Sequence, residues 1–262
     1  LWRCGVDIES KYATFKGVDF SHKAGHPDTN VEVHSSAENA NHKTGSYVSS
    51  VGGWYDAGDY GKYTTNGAIA LTVLLKGYET FKEYYDSLSL NLPESGNNSA
   101  DILNECAYEL DWLFTMQDSV DGSVAHKVTT LSFAGFVMPD NEGAKGQRYM
   151  IGRCTDDALS FAAVMAQTAR VYEGNTAYPD MSAKALNAAK KAWDWALKNP
   201  NVMYEQPGDV HTGSYIIRNI DNRWVWAAAE LFATTHDESY LDYIKVTDNW
   251  KVSTWQDATG YA

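Results

Sequence analysis

From Lys62 onward the apolar positions of the chain fall into a helical rhythm. In "KYTTNGAIALTVLLKGYETFKEYY", Ile69, Val73, Leu74, Tyr78 and Phe81 recur at spacings of about three to four residues, which predicts a mostly buried helix. The run "SLNLPESGNNS" breaks that rhythm with proline and paired asparagines, and Ser99 stands where an N-cap belongs. The next stretch, "DILNECAYELDWLFTMQD", sets Ile102, Leu103, Cys106, Leu110, Leu113 and Phe114 on one face and Asp101, Glu105 and Glu109 on another. It predicts an amphipathic helix with acids in its early turns, where the helix dipole favours negative charge.

Residues 119–153 read as a Gly-rich loop containing His126, after which "DDALSFAAVMAQTARVY" resumes the helical period. "MSAKALNAAKKAWDWALKN" and "NRWVWAAAELFATT" are further helices, the segment "QPGDVHTGSY" is a loop between them, and "ESYLDYIKVTDNW" is a last helix. Residues 1–51 are polar and irregular, with His22, His26, His34 and His42 scattered among Gly, Ser, Asn and Asp, and read as a long ordered loop region. Strand signals are sparse and no fixed-period repeat stands out. Helical hairpins joined by long Gly- and aromatic-rich loops suggest an α/α toroid, with the helices as scaffold and loops at one end forming a cleft. A plain helical bundle has the same periodicity, and pattern alone leaves both open.

With 262 residues and 44% hydrophobic content the chain can bury a full core. A net charge of −13 excludes a nucleic-acid or anionic-membrane surface, which needs clustered Lys and Arg, and leaves a neutral or cationic ligand. Nine Trp and seventeen Tyr exceed the ordinary needs of a core, and partly exposed rings make platforms for amphipathic ligands such as sugars. Cys4, Cys106 and Cys154 are too few and too scattered to define a disulfide framework or a metal clip. No apolar run approaches the ~20 residues of a membrane span. The chain begins "LWRCG", which reads as the end of a helix, so an N-terminal part with any export signal is expected to precede it.

The segment "GGWYDAGDYGKY", residues 52–63, combines Asp56 and Asp59 with flexible glycines and four aromatic rings. Both carboxylates can sit on one side of a turn and share a water, and two close acids drive their proton affinities apart, as acid–base chemistry requires. The same pair would also serve a divalent cation.

"GGWYDAGDYGKY" resembles the signature of glycoside hydrolase family 9, the cellulase family, and the resemblance continues along the chain. "KYTTNGAIALTVLLKGYE", "DILNECAYELDWLFTMQD", "VAHKVTTLSFAGFVMPD", "SFAAVMAQTARVY", "AKKAWDWAL" and "WAAAELFATT" are similar to later family segments in the same order. The resemblance implies an all-α fold, an (α/α)6 toroid of helical hairpins that is incomplete here, with residues 1–262 forming one catalytic domain truncated at both ends. It implies inverting hydrolysis of β-1,4-glucan, with Asp59 as catalytic base and Asp56 helping to hold the nucleophilic water. The family's general acid is a Glu near the end of its domain, and nothing after Trp255 matches it. Glu230 lies inside an apolar helix and reads as structural, and Glu205 has no family motif around it. His126 matches a cleft histidine, Tyr215 and Trp255 fall near cleft-lining positions, and Trp54 and Tyr55 adjoin the acids, either against sugar or supporting the loop from behind.

The family's metal sites are altered. Of its two-Cys, two-His zinc set, Cys4 and His26 remain, but Gly25 and Tyr55 occupy the other two positions, and a structural zinc wants four ligands. At its calcium site the expected acidic pair is Asn222 and Arg223, leaving Asp257, so an ion pair is expected in place of the metal. No cofactor is therefore expected. Asp156 and Asp157 stand where the family has small neutral residues, with no evident reason.

The leading expectation is a secreted, monomeric hydrolase acting on β-glucan polysaccharide, without nucleic-acid or membrane partners. A non-catalytic β-glucan-binding fragment is the alternative, and a cation-dependent helical lyase or cyclase a third.

Overall fold

The computed structural model describes residues 3–142 and 146–245. Its first part alternates short elements: α1 (Ser10–Ala13), β1 (Thr14–Phe15), β2 (Val18–Asp19), β3 (Val31–Val33), β4 (Tyr47–Val48) and β5 (Lys62–Tyr63). Helices α2 (Thr64–Thr80), α3 (Lys82–Ser87) and α4 (Asp101–Met116) follow, then β6 (Ala125–Thr129), α5 (Pro139–Glu142) and β7 (Tyr149–Arg153). The remainder is α6 (Thr155–Val171), α7 (Met181–Lys198), α8 (Asp221–Thr235) and α9 (Leu241–Lys245).

Helix α6 is the centre of the core. Every residue from Thr155 to Ala169 is buried, and its run of small side chains lets α2, α7 and α8 all pack against it. Helix α4 packs on the far side of α2. Helices paired as hairpins and layered in this way form a predominantly helical scaffold consistent with an α/α toroid. No helix among the described residues is long and apolar enough to cross a membrane. Two local expectations change. Helix α2 ends one residue before Phe81, which is its exposed C-cap, and Val73 faces outward. Ala100, not Ser99, is the N-cap of α4, while Ser99 Oγ accepts a hydrogen bond from Asn175 Nδ2 at 2.9 Å.

The loop-like segments also form a five-stranded sheet in the order β4-β3-β7-β6-β5, which an all-α expectation omits. The pairs are antiparallel except β3 with β7, and Tyr63 on β5 lies directly opposite Lys127 on β6. A buried ion cluster ties the N-terminal region to the sheet: Asp28 sits 2.8 Å from Lys62 Nζ and 3.1 Å from Arg148 Nε.

The acidic face of α4 is buried, not solvated. Asp101 accepts from the Leu90 N–H and Ser95 Oγ, both at 2.7 Å. Glu105 takes Arg3 at 2.8 Å and the Trp54 indole N–H at 2.7 Å, and Glu109 takes the Trp54 backbone N–H at 2.5 Å. Buried carboxyls persist only where donors meet them, and here the donors are Leu90 and Ser95 for Asp101, Arg3 and Trp54 for Glu105, and Trp54, within residues 52–63, for Glu109.

Candidate active site

The segment 52–63 is an anchored turn. Gly53 has φ of 83°, and a Cβ there would lie 2.7 Å from Trp112 Cγ, so only glycine lets the chain pass over that indole. Trp54 and Tyr55 then point inward, each 8% exposed. Trp54 is held by Glu105 and Glu109; Tyr55 donates to the Gly25 carbonyl at 3.1 Å and lies 2.9 Å from His26 Nδ1. They support the turn from behind. The Asp56 N–H donates to the Gly61 carbonyl at 2.9 Å, which closes the turn and leaves Asp56, Ala57 and Gly58 exposed, with Asp59 half-buried.

Each aspartate is fixed by a tyrosine. Asp56 Oδ2 accepts from Tyr215 Oη at 2.5 Å and its Oδ1 from Asn66 Nδ2 at 2.9 Å. Asp59 Oδ2 accepts from Tyr63 Oη at 2.7 Å. Burial, reinforced by the hydrogen bond to its carboxylate, pushes each tyrosine hydroxyl well above its usual proton affinity, so both remain donors. The two rings meet edge to face with centroids 4.7 Å apart. Two oriented carboxylates facing solvent can hold and deprotonate a water.

His126 on β6 is buried and stacked on Tyr204 at 3.7 Å between centroids. Its Nδ1 lies 2.8 Å from Asp157 Oδ2, and its Nε2 lies 3.1 Å from the Ser214 carbonyl, one residue before Tyr215. Lys127, also buried, donates to Gln206 Oε1 at 3.0 Å and the Gly213 carbonyl at 2.6 Å. Burial pushes its ammonium down to about 8, against the pull of Asp157 and Asp59. Asp156 and Asp157 now have a physical account. Asp156 is the counter-ion of buried Arg223, with Oδ1 2.5 Å from Nε, and Thr65 Oγ1 lies 3.2 Å from Asp156 Oδ2 and 3.1 Å from Asp157 Oδ1.

Asp56, Asp59 and Tyr215 thus converge on one solvent-facing turn, and His126 reaches it through the backbone of Ser214. Glu205 is exposed and Glu230 is ion-paired with Arg170 at 2.8 Å. Trp255 and Asp257 lie outside the described residues. Tyr63, Asn66 and Lys127 were not singled out from sequence, although Tyr63 sits only four positions beyond Asp59.

The family model for glycosyl hydrolase family 9 matches residues 2–262. The chain belongs to glycosyl hydrolase family 9. It is 41% identical over 248 residues to the xyloglucan-specific endo-beta-1,4-glucanase BoGH9A of Bacteroides ovatus, covering 92% of this chain and 41% of that protein. A solved Bacteroides ovatus GH9 structure superposes with a TM-score of 0.87 at 40% identity, over 92% of this chain and 45% of its own. The chain therefore spans less than half the length of these family members. A zinc-binding triple mutant of the family 9 endoglucanase J30 superposes with a TM-score of 0.83 at 35% identity, over 92% of this chain and 44% of that one.

On cofactors the expectation of none is overturned. His126, Cys154 and Asp157 bring a ring nitrogen, a sulfur and a carboxylate oxygen within 4.8 Å of one another, all buried. Nitrogen, thiolate and carboxylate together suit zinc, and a zinc-binding protein of this family is among the similar structures. Both His126 Nδ1 and Cys154 Sγ lie within hydrogen-bond distance of the same Asp157 Oδ2, at 2.8 and 2.9 Å, so a metal would take the place of the protons between them and spread the three donors apart. The candidate site lies at a different place from the positions weighed from sequence. There, Cys4 Sγ donates to the His26 carbonyl at 3.1 Å. The signal missed was the conjunction of His126 with "CTDD", since their spacing in sequence follows no metal-binding motif.

Proposed function

We propose that this chain carries the base side of an inverting β-1,4-glucan hydrolase, in which Asp59 takes the proton from a water that Asp56 holds. The observation that carries this reading is the pairing of each aspartate with its own tyrosine donor on one solvent-facing turn. A carboxylate whose orientation is fixed by a hydroxyl can keep its remaining lone pairs on water. Inversion needs a separate acid roughly 6.5–9.5 Å from the base, with the water between them. In this reading that acid is a Glu from the part of the family's length that the chain does not span, and the same part completes a six-hairpin toroid.

The substrate is a neutral β-glucan, in keeping with the chain's negative charge, and the xyloglucan specificity named for its Bacteroides ovatus relative makes a decorated glucan the first to test. Tyr215 and Trp255 serve as cleft surfaces, His126 shapes the cleft through Ser214, and Trp54 and Tyr55 stiffen the turn. A polymeric substrate implies secretion, and a monomer suffices for the site.

The test is reducing-sugar release from xyloglucan and unsubstituted soluble β-glucan by the chain extended to family length, beside Asp59→Asn. Hydrolysis that disappears with Asp59→Asn supports the reading. A folded wild type that binds glucan without turnover would replace it with a non-catalytic binding role.

A further inference from the structure

We propose that Lys127 is a positioning residue of the aspartate pair: from its buried place it pins Gly213 and so fixes where Tyr215 meets Asp56. The inference rests on the hydrolase reading and adds to it the device that holds the two carboxylates in register.

Lys127 is fully buried, and its ammonium bonds two neutral oxygens, Gln206 Oε1 and the Gly213 carbonyl, and lies 5.7 Å from the ring centroids of both Tyr63 and Tyr204, with no carboxylate in contact among the described residues. A buried charge without a counter-ion in contact is costly, and a thioether of similar length would fill the space without that cost. What an apolar side chain could not supply is a hydrogen bond to Gly213.

Gly213 is held from both sides. Its carbonyl accepts from Lys127 at 2.6 Å, and its N–H donates to Tyr63 Oη at 3.1 Å. It must be glycine, because a Cβ would stand 2.7 Å from the Tyr215 ring and 3.0 Å from Tyr63 Oη. The next carbonyl, of Ser214, faces His126 Nε2, and Tyr215 follows in the left-handed region with φ of 42°, which delivers its hydroxyl to Asp56. The two residues that grip Gly213 are register partners, Tyr63 on β5 opposite Lys127 on β6. Tyr63 also holds Asp59. One strand pair therefore fixes Asp59 directly and Asp56 through residues 213–215.

The test uses the chain extended to family length, with Lys127→Met, Tyr215→Phe and the double variant. Lys127→Met should lower kcat on glucan at least about tenfold, with KM within about twofold, because misplacing a reacting group costs rate more than binding. The double variant should be no slower than the slower single variant within about threefold, since both act through one contact. Exchange of the Gly213 amide should quicken by at least about tenfold in Lys127→Met. Additive losses, an unchanged kcat with an unchanged Gly213 amide, or a loss that only tracks the folded fraction measured by thermal melting would overturn the proposal. If Lys127→Met does not fold, Lys127→Gln is read by the same criteria. If wild type hydrolyses no glucan, the hydrolase reading falls, and the Gly213 amide still decides whether Lys127 positions the loop.

Discussion

Tyr63 donates its hydroxyl to Asp59 Oδ2 at 2.7 Å while accepting the Gly213 N–H at 3.1 Å, so one phenol oxygen joins the proposed base to the loop that holds its neighbour. Tyr63→Phe keeps the ring against Tyr215 and removes both bonds. A hydrogen bond to a charged partner contributes about 1.5–3 kcal/mol. Hydrolysis by the family-length protein should therefore fall by about tenfold or more, against about 10²–10⁴-fold for Asp59→Asn, which removes the base itself. Steady-state kinetics of the two variants side by side checks the order. A Tyr63→Phe loss as large as that of Asp59→Asn would mean that the turn had collapsed.

Glu109 lies under the same turn, and its role shows in stability. Burial pushes its carboxyl up to about 8, opposed by the hydrogen bond from the Trp54 N–H and by Lys62, and the folded protein holds a proton there at neutral pH. In the unfolded chain the group titrates near 4.5. The folded state thus binds the extra proton between those values, and stability falls as pH rises through the window by about 1.4 kcal/mol per unit. Glu109→Gln keeps an oxygen for the Trp54 N–H and cannot ionise. Its urea midpoints from pH 5 to pH 9 should be flatter than those of wild type and should exceed them at the alkaline end. Parallel curves would show that Glu109 is ionised in the fold.

The scaffold was legible because α2, α4, α6, α7 and α8 are long and periodic, and their apolar positions repeat often enough to reveal a buried stripe. The sheet was not, because β3, β4 and β5 are two or three residues each and find partners far along the chain, as Glu32 does with Tyr149. Asp56 and Asp59 stood out by motif. Of the side chains that orient them, Tyr215 was named only as a cleft position by resemblance, not as the partner of Asp56, and Tyr63, Asn66 and Lys127 were not named, since such contacts span the chain: Tyr215 reaches Asp56 across 159 positions and Lys127 reaches Gly213 across 86. Glu105 and Glu109 were legible as an acidic face of α4 but not as a buried one, because the groups that turn that face inward, Arg3 and Trp54, lie far away in the sequence.

Asp118 organises the turn that follows α4 and should set part of the acid stability. Burial disfavours its charge, but the Val120 N–H, Asn39, Asn41 and the Asp121 N–H all donate to it and hold its carboxyl down to about 2. A group depressed below its unfolded value of 3.8 stabilises above that value and loses its contribution as pH falls through about 2. Allowing for solvent screening, Asp118→Ala should cost about 1–2 kcal/mol at pH 7, and the difference from wild type should shrink between pH 4 and pH 2. Thermal melts across that range measure it. A constant difference would assign the loss to packing.

The cluster of His126, Cys154 and Asp157 makes the sharpest prediction about cofactors. Its donor atoms lie within 4.8 Å of one another, so the cluster can supply three ligands of a tetrahedral ion once the protons now directed at Asp157 are lost and the three side chains move apart to admit it. Burial and the neighbouring Asp157 and Asp156 raise the Cys154 thiol well above its usual range, so metal uptake must displace that proton and should strengthen with rising pH. Cobalt(II) reports on the sulfur directly through thiolate charge-transfer absorption. Wild type should develop that band on titration with cobalt, and zinc should abolish it by competition. Cys154→Ser should bind without the band, and His126→Ala should bind more weakly. If no band forms at any pH at which the protein stays folded, the three side chains are a hydrogen-bonded brace that holds His126 against Ser214, and Cys154→Ser should then alter the cleft no more than the loss of one weak donor to Asp157 requires.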